Sequence, residues 1–481
     1  MGGMQAGAGT GKPSPRALVA TGAAGSALVA ISSYWVGATP LAFRTDPPAV
    51  VDALPQGTPV ALVAWYLGLA AMALAWLGFG RRMWHGDDLD PRALRTAGLA
   101  AAAPLLLATP LMSRDLWAYA AQARIAAAGL DPYTVSPAAF GDSTLQNVSA
   151  RWVDSPSPYG PLWTVVGRGL EAVTGDHALL QVLVLRLPAA LGFVLLALAL
   201  PALARRVGAS PVTASWLVLA NPMVVLHGVG GGHNDTLMVG LLAVGLLVAV
   251  SGGPRWRALL LGGLLVGAAA AIKIPAVVAA PFLPLLWSRY AAGAPPWTTV
   301  PWRDAVRSRG REVVAGTALS LVGAAAALAV TTLAAGRGLA WLSAANTDEH
   351  GGGPVFTALL ALVLVALWLL AIRNAQLPLL AAALLAPALT SELSLAWYWF
   401  WPLVPAALAV RGRLAMFLLA VGSLAEIVYV RPNGPNFALR PEFVVVVAAL
   451  LAWLVLDRRW RPFGADLAPE PAPADVRSPA S

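Results

Sequence analysis

Long apolar stretches recur along almost the whole chain, separated by short polar turns. They fall at about 17–38, 59–80, 96–112, 187–204, 209–228, 236–253 and 258–272, then at about 274–288, 313–335, 354–372, 375–391, 393–410, 414–430 and 443–456. A helix crossing the hydrocarbon core needs about 20 such residues, fewer where it is broken or distorted. About fourteen transmembrane helices are therefore expected, and the predicted class is an all-α polytopic membrane protein. The domain division follows: a cytoplasmic tail over 1–16, a membrane domain over 17–460 and a Pro/Ala-rich, acidic tail over 461–481 without the composition to fold. The first apolar stretch exceeds the core of a cleaved signal and reads as an uncleaved anchor.

The polar turns carry a second pattern. With the N-terminus inside, one set of turns holds Arg81, Arg82, Arg92, Arg95, Arg205, Arg206, Arg255 and Arg257, and later Arg303 to Arg311, Arg411 and Arg413. The opposite turns hold most of the acids, including Asp115, Asp131, Asp142, Asp154, Glu171 and Asp235. This asymmetry predicts both termini in the cytoplasm. The longest turn, about 113–180, then lies outside. It is rich in Pro, Tyr and Trp, as suits a membrane interface, and its first part, 114–128, is expected to be a helix lying along the surface.

Composition sharpens the picture. Of 481 residues, 58% are hydrophobic and only 11% charged, against roughly 25% charged in soluble domains. Mean hydropathy is +0.70, so lipid is the suitable solvent. The net charge of +9 is spread over short loops, which argues for membrane lipids and against nucleic acid as a partner. Cysteine is absent, which excludes disulfides, thiolate metal sites and a Cys nucleophile. No internal repeat is visible.

Candidate chemistry gathers on the outer side. Asp115, Tyr119 and Gln122 recur at helical spacing and share a face. A carboxylate at the lip of the bilayer is a candidate general base, because partial desolvation raises its pKa. Arg114 beside it could hold a phosphate. Leu130-Asp131-Pro132-Tyr133 and Ser155-Pro156-Ser157-Pro158-Tyr159-Gly160-Pro161 read as rigid turns offering aromatic faces to a sugar ring. His227-Gly228-Val229-Gly230-Gly231-Gly232-His233-Asn234-Asp235 lets backbone approach a ligand closely and offers imidazole, amide and carboxylate together. Asn221-Pro222 shortens the span before it. Lys273, the only lysine besides Lys12, interrupts two short apolar runs, where an ionisable group is costly and calls for a function or a partner. A broken hairpin kinked at Pro275 would bring its ammonium to the outer leaflet. Asn346 to His350, Glu392 near Trp397-Tyr398-Trp399, and Arg431 to Asn436 add polar groups on that side.

Taken in order, Ser113-Arg114-Asp115-Leu116-Trp117-Ala118-Tyr119, Gly129 to Tyr133, Ser155 to Pro161, Asn221-Pro222 and His227 to Asp235 resemble the actinobacterial polyprenol-phosphomannose-dependent α-1,6-mannosyltransferases. These belong to the GT-C glycosyltransferase superfamily. The resemblance is densest over about 110–275. It implies a GT-C-type bundle with interfacial helices in the first major outer loop, a polyprenyl-phosphomannose donor and a lipid-anchored mannan acceptor. The reaction it implies is inverting transfer at the extracytoplasmic face of the plasma membrane. Asp115 matches the family's catalytic acid and is the expected general base. Arg114, Lys273 and His233 are the expected donor-phosphate contacts; Tyr119, Gln122, Tyr133, Tyr159, Asn234 and Asp235 are the expected acceptor and sugar contacts. Asp235 stands where family members also carry Glu, one methylene longer. No cofactor is assigned on this reading; dependence on a divalent cation stays open, and so do any metal ligands. Two alternatives stay open as well: a transporter or flippase for a lipid-linked or anionic solute, and a GT-C transferase for another polyprenyl-phosphate sugar.

Overall fold

The computed structural model of the chain describes residues 13–40, 49–175, 177–292, 302–344, 353–373, 376–390, 395–410, 412–428 and 432. All regular structure among them is helical. The expected span at 443–456, both terminal tails except residues 13–16, Asn346 to His350, Glu392, and Arg431 and Asn433 to Asn436 lie outside the described residues.

Helix starts follow from local chemistry. Ser14-Pro15, Thr58-Pro59, Asp90-Pro91 and Ser210-Pro211 each set a capping residue before a proline whose fixed φ and missing N–H suit the first helical turn. Ser14, Asp90 and Ser210 accept backbone N–H groups from Ala17, Arg92 and Thr213.

Among the described residues six helices are long and apolar enough to cross a membrane: Pro15–Val36, Pro59–Trp84, Leu179–Arg206, Ile274–Ala291, Gly310–Ala335 and Val355–Ile372. A seventh span arises if Val224–Gly230 and Asp235–Val250, bent by 112° at their junction, are taken together. The chain is a multi-pass membrane protein. The number differs from the fourteen apolar stretches for a physical reason: hydropathy registers apolar residues, not helix length. The stretches near 96–112, 236–253, 258–272 and 375–391 become helices of 15 or 16 residues, and the one near 209–228 breaks after Val218. Lipid remains the fitting solvent for the outer surface. Only 11% of Val355–Ile372 is buried, and Leu333 and Val173 are largely exposed.

Helices approach closely where side chains are small, as packing in lipid favours. A Cβ on Gly192 would fall 2.3 Å from the Thr236 carbonyl oxygen, and one on Gly240 would fall 2.3 Å from the Gly192 carbonyl. The helix Leu187–Arg206 therefore lies directly on Asp235–Val250. Trp76 and Trp216 stack 4.8 Å apart, and each indole N–H donates to the other's carbonyl.

The long loop over about 113–180 departs from expectation in one respect. Its helix, Asp115–Ala127, does not lie along a surface: all of its residues except Arg124 and Ala127 are buried. Alanines at 118, 120, 121, 123 and 126 leave it thin enough to be enclosed on every side. Arg124, near its C-terminal end, is ion-paired with Asp142 and approaches Glu171 at 3.9 Å; Glu171 also accepts from Gln181. That buried polar cluster ties the loop to the helices Pro161–Thr174 and Ala178–Val184.

Candidate active site

Asp115 opens its helix, where the positive end of the helix dipole favours a carboxylate. The segment leading to it is strained: Met112 has φ +60°, the one non-glycine residue with positive φ among the described residues. Such strain tends to gather at functional sites. Ser113 Oγ then accepts the Asp115 N–H at 3.0 Å. The carboxylate is 5% exposed. Trp152 Nε1 donates to its Oδ1 at 2.9 Å, and His233 Nδ1 lies 3.5 Å from its Oδ2.

His233 arrives from the glycine-rich segment. Val224–Gly230 forms a π-helix, a form often found at functional sites, and the chain then turns sharply into Asp235–Val250. The His233 ring is fully buried and stacks on Trp397 with centroids 3.6 Å apart. Asn234 occupies the N-cap position without capping through its side chain. Among the described residues neither of its amide atoms has a hydrogen-bond partner, and the same is true of Gln122 Oε1 and His233 Nε2. Buried amides left in that state suit a polar ligand such as a sugar.

Asp235 begins the next helix and is fully buried. Lys273 Nζ lies 3.0 and 3.1 Å from its two oxygens, and Trp401 Nε1 donates to Oδ1 at 2.6 Å. The ammonium also sits over three rings: Tyr398 at 4.3 Å, Trp401 at 5.3 Å and Tyr159 at 5.8 Å. Lys273 stands at the corner between the helix Arg255–Ala270 and the 3₁₀ segment Ile274–Phe282, the broken hairpin expected from Pro275. Tyr159 reaches that corner because Gly160 lets two backbones touch. Gly160 N–H donates to Ile272 at 3.0 Å and Leu162 N–H to Ala271 at 2.8 Å. A Cβ on Gly160 would fall 2.4 Å from the Ala271 carbonyl oxygen.

The expected residues thus divide. Asp115, His233, Asp235, Lys273 and Tyr159 come together, and Tyr119 joins them edge-on to Tyr159 with centroids 5.1 Å apart. Tyr133 lies apart: its hydroxyl bonds Thr164 Oγ1 at 2.7 Å and its ring packs on Trp341. Arg114 donates to the Asn147 carbonyl at 3.1 Å. Sequence reasoning passed over Trp401 and took Trp152 only as an interface aromatic of the loop; these are the indole donors to the two carboxylates. It noted Trp397-Tyr398-Trp399 only as aromatics near Glu392. The spacing of Trp397, Tyr398 and Trp401 gave a signal in hindsight, since one short segment covers His233, Lys273 and Asp235 in turn. It also passed over Arg186, which is fully buried.

Electrostatics corrects the expected basis for Asp115 as a base. Burial does push its carboxyl upward, but the hydrogen bond and charge of His233, the Trp152 N–H and the Lys273 ammonium outweigh burial and hold it below the usual carboxylate range. Asp115 is therefore ionised at neutral pH. Tyr119 and Tyr159 are pushed well up, by burial first and then by neighbouring phenol and carboxylate groups, and stay protonated. Tyr133 is pushed up to about 12, chiefly by burial. Among the described residues no group of three or more His, Asp or Glu side chains is arranged to hold a metal ion.

The helices that end at this cluster carry arginines at their other ends. Pro91–Leu105 begins with Arg92 and Arg95 and leads to Asp115. Leu187–Arg206 runs from Arg186 to Arg205 and Arg206. Asp235–Val250 and Arg255–Ala270 leave Asp235, turn at Arg255 and Arg257, and return to Lys273. Sixteen residues of helix span about 24 Å, so acid-rich and arginine-rich ends are well separated.

The chain is also similar in sequence to known proteins over most of its length. Residues 19–289, more than half of the chain, match the family described as Alpha-(1->6)-mannopyranosyltransferase, N-terminal domain. The chain is similar to Alpha-(1->6)-mannopyranosyltransferase A of Mycobacterium tuberculosis, 31% identical over 84% of this chain and 82% of that protein. It is also similar to a probable alpha-(1->6)-mannopyranosyltransferase of Mycolicibacterium smegmatis, 30% identical over 95% of this chain and 91% of that one. No solved structure matches significantly.

Proposed function

The chain belongs to the alpha-(1->6)-mannopyranosyltransferase family, and from that membership we propose that it moves mannose from polyprenyl-phosphomannose to a hydroxyl of a lipid-anchored mannan, with inversion at C1. The observation that carries the proposal is the meeting of two buried pairs, Asp115 with His233 and Asp235 with Lys273, at one end of the helices that bear arginines at the other. By the inside preference of arginine, that end faces outward and both termini lie in the cytoplasm. The fourteen-span GT-C bundle belongs to the same reading; its further spans would come from the shorter helices and from segments outside the described residues.

In this mechanism Asp115 accepts the proton of the acceptor hydroxyl as its oxygen bonds to C1, and the C1–O bond to the polyprenyl phosphate breaks. A carboxylate held ionised is a weak base, but the attacking hydroxyl becomes strongly acidic as its new bond forms. A late proton transfer therefore needs no stronger base. Lys273 has three N–H donors and directs the ammonium at Asp235, which leaves donor capacity for the departing phosphate. His233 and Arg114 would add to it. Asn234, Gln122, Tyr119 and Tyr159 are suited to the sugar hydroxyls and ring faces, with Asp235 behind them. Tyr133 would support the wall of the acceptor groove through Thr164. No step is assigned to a metal.

The test supplies the purified full chain, in liposomes, with an acceptor mannan and with one of three donors: polyprenyl-phosphomannose, another polyprenyl-phosphate sugar, or a nucleotide-linked mannose. Transfer of mannose from the first alone, through an α-1,6 bond, is the expected result. Transfer from the second alone would change the assigned sugar, and transport of a solute without product would overturn the transferase reading.

A further inference from the structure

Arg186 is fully buried at the start of the helix Leu187–Arg206. A buried guanidinium is costly unless its charge and its donors are met. No carboxylate pairs with it among the described residues. Its partners are backbone carbonyls instead. Nε and Nη2 both donate to Gly230, at 3.2 and 3.1 Å, while Nη1 donates to Leu106 at 3.1 Å and to Ala108 at 2.7 Å.

The identity of those carbonyls matters. Leu106 and Ala108 follow the helix Pro91–Leu105 and begin the strained segment that delivers Asp115. Gly230 ends the π-helix and stands three residues before His233. One planar group thus holds both supports of the Asp115–His233 contact. Arginine suits this task, since its rigid fork meets several acceptors at once where lysine offers a compact point charge. The carbonyls lie at helix C-terminal ends, where partial negative charge answers the guanidinium.

We propose that Arg186 is a positioning residue for glycosyl transfer, fixing the distance between Asp115 and His233 by bridging the backbone segments that carry them. The inference rests on the reading of Asp115 as the base. Loss of the bridge lets His233 draw away, leaving substrate contacts made by other residues in place. Turnover should then fall while affinity holds, because a displacement of about 1 Å can cost about 100-fold in rate. Asp115, left with burial and less of its cationic company, should titrate higher; Lys273, Trp152, Asp235 and the phenols of Tyr119 and Tyr159 still face it.

The experiment compares Arg186→Lys and Arg186→Gln with the parent chain and with Asp115→Asn, all as full-length protein in liposomes with polyprenyl-phosphomannose and acceptor. Measured are kcat, KM for the donor, the pH profile and the detergent-solubilised melting temperature. Arg186→Gln is expected to lower kcat by about 10- to 100-fold with KM within about threefold, and to move the acid limb to higher pH. Arg186→Lys should recover part of kcat. Either variant turning over at the parent's rate with an unshifted limb would overturn the inference, as would a fall carried by KM. Loss of folded protein in both would assign Arg186 to folding alone and overturn it too. Full turnover by Asp115→Asn would instead strike the general-base reading, a separate outcome.

Discussion

Lys273 and Asp235, 38 residues apart in sequence, meet through contacts of 3.0 and 3.1 Å, and each answers the other's buried charge. Removing one partner leaves the other unpaired in a low-dielectric site. Lys273→Met or Asp235→Asn alone should therefore destabilise the protein by roughly 3–5 kcal/mol. The double substitution should recover most of that loss, since no lone charge remains. Transfer should stay lost in Lys273→Met and in the double variant, because the ammonium is proposed to meet the phosphate. Thermal unfolding in detergent beside a transfer assay separates the two effects; recovery of activity in the double variant would make the pair purely structural.

Trp152 tests the electrostatics of Asp115. Its N–H stabilises the ionised carboxylate, so Trp152→Phe should raise the pKa of Asp115. A hydrogen bond to a charged group is worth about 1.5–3 kcal/mol, and about 1.4 kcal/mol corresponds to one pKa unit. The acid limb of kcat/KM should move up by about one to two units, and a limb that stays put would contradict the assignment.

The same depressed pKa couples to stability. A carboxylate held below its unfolded value of about 4 contributes stability above that pH and loses it as pH falls through the folded value. The parent should therefore melt progressively lower on acidification below about pH 4. Asp115→Asn should flatten that part of the dependence, as read by melting temperature against pH; an unchanged slope would assign the acid sensitivity elsewhere.

Gly160 carries a steric prediction. A methyl group there meets the Ala271 carbonyl oxygen at 2.4 Å, so the turn must part from the Lys273 corner. Gly160→Ala should lower transfer by at least about tenfold through displacement of Tyr159 and Lys273, a shift well within what misplacement costs. Gly169→Ala, at a position with open space around it, serves as the control and should behave as the parent.

Much of this site was legible in the chain, and the reasons for the rest are physical. Helical spacing sets Asp115, Tyr119 and Gln122 on one face, and the isolated lysine at 273 announced a partner. Hydropathy found the membrane segments but not their lengths, because breaks at Pro222 and Pro275 end helices without making the sequence less apolar. The identity of each partner was hidden by distance along the chain: Trp152 lies 37 residues from Asp115, and Trp401 lies 166 from Asp235. Arg186 looked like any arginine at the end of a span. Only the fold reveals that its donors meet backbone carbonyls, which leave no trace in side-chain chemistry.

The most direct test of the account is the rate of mannose transfer from polyprenyl-phosphomannose by Asp115→Asn, measured against parent protein of matched melting temperature at neutral pH. General-base catalysis contributes about 100- to 10,000-fold, so the variant should fall by at least about 100-fold with donor binding retained. Turnover within a few-fold of the parent would contradict the role given to Asp115.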